Sequence, residues 1–195
     1  MKSLPITTFF FSLLATSCGV LSPVKDSSVF HLLDAAVPQR TVTGGAPAIA
    51  LVRPSLPSYL DRQQLVSRSG DGQLQMNSYH LWSEPLDSAI SRVTATNLAR
   101  LKNSLNIQPI EAFVTLDYTT LLEIRISRFE PDATNTLILE CTWKLQPVSG
   151  RLASTRSFST HIPIAPTTDS KNLAPRVTAM NEALGRLARE IAKAF

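Results

Sequence analysis

The chain has 195 residues, 44% of them hydrophobic and 17% charged, with a formal net charge of +4. That length and apolar content suit one globular domain with a single core and argue against disorder along the whole chain. The positive residues are scattered rather than gathered into a run, so a nucleic-acid-binding face is not expected.

The chain opens on Met1-Lys2, runs through a largely apolar stretch from Leu4 to Ala15 that includes Phe9-Phe10-Phe11, and reaches the small residues Ala15-Thr16-Ser17 before Cys18. This apolar core is shorter than the about 20 residues that cross a bilayer, and its layout predicts a cleavable secretory signal over residues 1–17. Leu13-Leu14-Ala15-Thr16-Ser17-Cys18 resembles the bacterial lipobox. In that pattern the thiol is alkylated with diacylglycerol, the signal is cut before the cysteine, and the new amino terminus receives a fatty acid such as palmitate. The usual leucine three positions before the cysteine is Ala15 here, with Leu14 one place earlier. The resemblance implies Cys18 as the lipidation site; the alternative is an ordinary signal that happens to contain a cysteine. If Cys18 carries lipid, Cys141 has no intramolecular disulfide partner, and if it does not, a Cys18–Cys141 bridge is the competing arrangement.

Residues 18–28 contain Gly19, Ser22, Pro23, Ser27 and Ser28 with little apolar pattern, and read as a flexible tether ahead of a domain over 29–195. Residues 29–33 suggest a first strand. The continuous apolar run 48–52 lies between Pro47 and Pro54 and predicts a strand buried on both faces. A hairpin is expected between 64–68 and 73–77, with Gly70 and Gly72 in its turn. A helix is predicted over 84–105, with Ser83 as cap and Pro85 in the first turn. Its stripe is Leu86, Ile90, Val93, Leu98, Leu101 and Leu105, and Asn106 and Pro109 mark the stop.

Two strands with strict alternation follow: Leu122, Ile124 and Ile126, then Leu137, Leu139, Cys141, Trp143 and Leu145. Residues 152–162 read as a weaker strand. A last helix over 173–194 carries Val177, Met180, Leu184, Leu187, Ile191 and Phe195 on one face. Together these elements predict a single compact α/β domain, a mixed β-sheet packed by two long amphipathic helices.

Catalytic patterns are weak. His31, His80 and His161 are far apart and share no ligand spacing, so no metal site is expected. Ser22-Pro23-Val24-Lys25 formally matches an acylation motif but lies in the tether without its companion elements. No phosphate loop, dinucleotide fingerprint or nucleophile elbow is found, so neither an enzyme nor a cofactor is expected.

The segment from Leu56 to Arg68, Leu-Pro-Ser-Tyr-Leu-Asp-Arg-Gln-Gln-Leu-Val-Ser-Arg, is similar to the signature of the PqiC-type lipoproteins, also called ABC-type transport auxiliary lipoproteins. A second match is Leu81-Trp82-Ser83-Glu84-Pro85-Leu86, resembling that family's segment at the start of the long helix. Arg128-Phe129-Glu130, the Trp143 strand and the C-terminal helix also fit. Gln63-Gln64 and His80 depart from the usual spelling. The resemblance implies a non-catalytic subunit anchored on the periplasmic face of the outer membrane. It further implies a homo-oligomeric ring that meets a periplasm-spanning protein with mammalian-cell-entry (MCE) domains, which runs from an inner-membrane transporter and moves lipid. The apolar loop residues Leu56, Tyr59 and Leu60 are the expected contacts for a ring neighbour or partner. A tethered activator of a periplasmic cell-wall enzyme is the rival expectation.

Overall fold

The computed structural model describes residues 27–112, 117–150 and 153–195, so the predicted signal and Cys18 lie outside the described residues. The element order is β1 (Val29–His31), β2 (Ile49–Leu51), β3 (Gln64–Arg68), β4 (Leu74–Trp82), α1 (Leu86–Lys102), β5 (Ile107–Pro109), β6 (Thr120–Pro131), β7 (Thr136–Pro147), β8 (Arg156–Pro163) and α2 (Ala174–Ala192). The mixed α/β domain with two helices is present, with its strands divided between two sheets. Five strands form the main sheet in the order β5-β2-β6-β7-β8, and three form a smaller sheet in the order β1-β4-β3.

The apolar run 48–52 has a topological cause. Within it, β2 pairs parallel to β5 on one side and parallel to β6 on the other, and all three of its residues are buried. A strand with parallel neighbours on both edges and both faces covered has no polar side to present, so its sequence does not alternate. By contrast β6, β7 and β8 pair antiparallel. Leu122, Ile124 and Ile126 of β6 and Leu137, Leu139, Cys141 and Trp143 of β7 are buried. They share one core with Val177, Met180, Leu184, Leu187 and Ile191 of α2, and the two helices also pack against each other. Within β6 the pairing shifts between Ile126 and Arg128, so the inward positions run 122, 124, 126 and then 129. A bulge of this kind re-aims every side chain beyond it.

Four local expectations are revised. Ser83 does not cap α1, where Pro85 holds the position before the helix. The Ser83 hydroxyl donates instead to the His31 carbonyl at 3.0 Å, alongside the Ser83 amide at 2.9 Å, which ties the start of α1 to β1. The helix stops at Asn103, which takes the left-handed conformation with φ 52°, so Leu105 lies beyond the apolar stripe and is exposed. Residues 107–109, expected to be a stop, add β5; three residues are too few to carry a period. The last strand begins at Arg156, later than the expected 152, and residues 151–152 lie outside the described residues.

Candidate functional site

The two signature segments are neighbours in space. In the smaller sheet Gln64 pairs with Leu81, and the Trp82 amide donates to the Gln63 carbonyl at 2.7 Å. Asp61, Arg62 and Gln63 therefore meet Ser83, Glu84, Pro85 and Leu86 across a shallow groove of about 250 Å³. On its helix side Glu84 accepts from Arg92 Nε at 3.2 Å, and Arg92 also donates to the Leu33 carbonyl at 2.8 Å. Both walls are thus fixed to the body of the domain before any partner arrives, which lowers the ordering cost of a contact.

The first signature segment is locked to the main sheet by a buried carboxylate. Glu130 of β6 is 0% exposed. Its Oε1 accepts from Arg68 Nε at 3.0 Å and Arg128 Nε at 3.3 Å. The other oxygen, Oε2, accepts from the Phe129 amide at 2.9 Å and lies 3.0 Å from the Tyr59 hydroxyl. That hydroxyl is also 3.3 Å from the Ser127 carbonyl, and the Arg68 guanidinium sits 5.6 Å from the centre of the Tyr59 ring. Burial first, and the charge of Glu130 second, push the Tyr59 phenol up to about 12, so it stays a hydrogen-bond donor rather than becoming an anion. The bulge makes this possible, because beyond it Phe129 points into the helix-covered core and Glu130 lies on the strand's opposite face, under Tyr59 and Arg68. Glu130 was given no role on sequence grounds. The signal that could have found it is the step of three between buried Ile126 and Phe129, which marks a bulge, with a carboxylate next to it.

Of the three expected contact residues, Leu56 and Tyr59 are half-buried against the core. Leu60 is 3% exposed, so its side chain serves this chain's own packing and is not available to a partner. Trp82 is buried at the start of α1. Substitution Tyr59→Phe keeps the ring but removes the hydroxyl, leaving Glu130 one donor short. The expected loss is about 1.5 kcal/mol, at the low end for a bond to a charged group because the ring is only half-buried. Urea unfolding measures it, and an unchanged midpoint would count against the lock.

The fold also brings together two histidines that the sequence separates. His31 Nε2 and His80 Nδ1 are 2.8 Å apart, one donating and the other accepting, and their rings stack with centroids 5.1 Å apart. Burial first, and His80 second, hold the His31 imidazole below its ordinary value. A lowered value in the folded state means a contribution that is complete above the unfolded value of about 6.5 and is lost as pH falls below it. Amide exchange in β1, corrected for intrinsic rates, is therefore expected to speed up relative to β7 between about pH 7 and about pH 5. Equal slopes for both strands would refute the coupling. His161 lies on β8, away from this pair.

Cys141 is a free thiol in the core, pushed up to about 12 by burial, which makes it a poor nucleophile. Among the described residues no group of three or more His, Cys, Asp or Glu side chains is placed to hold a metal ion. A groove of about 480 Å³ beside β6 and β7 is lined by Arg53, Glu123, Arg125, Thr142 and Lys144 among others, with Lys144 paired to Glu123 at 3.1 Å.

Comparison with known proteins bears on the whole domain. A family model described as the ABC-type transport auxiliary lipoprotein component matches residues 31–192. A crystal structure of an uncharacterized protein is similar at 14% identity and a TM-score of 0.66, covering 84% of this chain and 99% of that one. A protein of Xanthomonas campestris assigned to the DUF330 family is similar at 20% identity and a TM-score of 0.63, covering 84% of this chain and 92% of that one. At such identities the two structures show the fold alone. No curated protein matches the chain.

Proposed function

Since the chain belongs to the family of ABC-type transport auxiliary lipoproteins, we propose that it is a non-catalytic subunit of an intermembrane phospholipid transport system. In this reading it is anchored by Cys18 to the periplasmic face of the outer membrane, assembles as a homo-oligomeric ring, and receives a periplasm-spanning protein with MCE domains that extends from an inner-membrane transporter. The observation that carries the reading is the family match over 31–192 placed behind a lipobox-like sequence that ends at Cys18.

Physical chemistry supports the division of labour. A phospholipid cannot cross the aqueous periplasm unaided, because each exposed methylene costs about 0.8 kcal/mol. A shielded apolar passage removes that cost, and small subunits tethered to the bilayer can frame its outer end. Gly19 follows Cys18, whereas an aspartate there would favour retention at the inner membrane in many enteric bacteria. Of the three expected contact residues, Leu56 and Tyr59 keep surface for a ring neighbour.

The test is chemical crosslinking of the acylated protein, alone and with a periplasmic MCE-domain protein of the same organism, followed by mass determination. Closed oligomers and a joint complex are the expected products. A monomer at high concentration that fails to bind that protein would overturn the transport reading.

A further inference from the structure

We infer that the face of the smaller sheet on which Phe30 and Tyr79 are exposed rests on the surface of the bilayer that holds the amino terminus. β1 is an edge strand, bonded only to β4, with Phe30 paired to Leu81. Phe30 is 58% and Tyr79 61% exposed, and Val29 and Leu32 are each about half exposed. Phe30 pairs with Leu81, two residues from Tyr79, so the register puts the two exposed rings on one face of the sheet, whereas single apolar residues scattered over a surface are ordinary.

What covers the cluster follows from the chain that leads to it. The inference rests on the reading of Cys18 as acylated. Eleven residue steps separate Cys18 from Val29. Their covalent reach is at most about 40 Å. An acylated Cys18 sits at the headgroup level, so β1 is the first ordered part of the domain that the tether brings to the membrane. The chemistry suits that depth, since Phe and Tyr rings are at home at the boundary between headgroups and acyl chains. Among the described residues no helix is long and apolar enough to cross a membrane, so a contact made by these residues lies along the surface. Such a contact adds to the anchor and fixes which side of the domain faces the lipid.

Depth-dependent quenching tests this on the full, acylated protein reconstituted in vesicles of phosphatidylethanolamine and phosphatidylglycerol, with and without brominated acyl chains. The native Trp82 and Trp143 are buried and give a constant background. Tryptophan placed by Phe30→Trp, and independently by Tyr79→Trp, is expected to shift to shorter wavelength on reconstitution and to lose most of its added emission in brominated vesicles. At the exposed control site, Val148→Trp is expected to keep its emission. If both sheet variants emit equally in plain and brominated vesicles while intact mass confirms acylation, the membrane contact is wrong and the anchor stands. The same absence of quenching together with a Phe30→Cys disulfide dimer assigns the edge to a second copy of the chain, which also overturns it. An intact mass showing a bare thiol at Cys18 overturns the anchor, and this inference falls with it.

Discussion

Replacement of Glu130 by alanine is expected to lower the unfolding free energy by about 3 kcal/mol, more than any other single polar substitution proposed for this domain. The carboxylate has no contact with water and receives donors from Arg68, Arg128, Tyr59 and the Phe129 amide. Its removal strands two guanidinium groups and a phenol that have already lost part of their hydration. Breaking a fully buried pair costs about 3–5 kcal/mol, and the lower end applies here because the Arg68 and Arg128 side chains keep 32% and 25% of their exposure. Coupling distinguishes a network from a set of separate contacts. In a double-mutant cycle the losses from Glu130→Ala and Arg68→Ala are expected to fall short of additivity by about 1 kcal/mol or more, since each variant already destroys the shared bond. Urea unfolding of the four proteins gives the result. A loss below about 1 kcal/mol for Glu130→Ala, or strict additivity, would mean that the signature segment is held by apolar packing alone.

The second large effect concerns the membrane. Substitution Cys18→Ser is expected to abolish fatty-acid incorporation and to remove the protein from the outer-membrane fraction. A hydroxyl is a far weaker nucleophile than a thiol near neutral pH, so it is not alkylated by diacylglycerol in the thiol's place. The anchor is then lost as a unit, because one acyl chain gives only marginal binding and stable residence takes two or more. The surface cluster around Phe30 is too small to hold the domain by itself, so fractionation is expected to show near-complete loss. The buried Cys141 is not exposed to an acyl donor. Labelled Cys18→Ser protein still present in the outer membrane would contradict the proposal.

Much of the fold was legible because burial writes its own period into the sequence. The alternation of Leu122, Ile124 and Ile126, and of Leu137 through Trp143, is the signature of strands with one covered face, and the structure pairs these strands directly. The stripe from Val177 to Ile191 marked α2 in the same way. The run 48–52 marked a strand buried on both faces. What escaped was either too short or a matter of three dimensions. Strand β5 has three residues, and nothing in Ile107–Pro109 announces a pairing with β2. Leu105 continued the spacing of α1, but left-handed Asn103 ended the helix first. The division into two sheets depends on which strands meet.

The site was legible as two segments and silent as a place. Leu56–Arg68 and Leu81–Leu86 stood out by resemblance, yet the pairing of Gln64 with Leu81 and the depth of Glu130 beneath Tyr59 are products of the fold. Leu60 shows the limit of reading an apolar loop as an interface: the same residue type serves a partner or the chain's own core, and only packing decides. His31 and His80, far apart in the sequence and without ligand spacing, become neighbours through a parallel strand pair that no local pattern specifies.

The most direct measurement is the intact mass of the mature protein extracted from membranes. A chain beginning at Cys18, heavier by one diacylglyceryl group and one amide-linked acyl chain, is the expected result. A bare thiol at that position, or a mass two hydrogens short from a Cys18–Cys141 bridge, would contradict the anchoring on which the transport role depends.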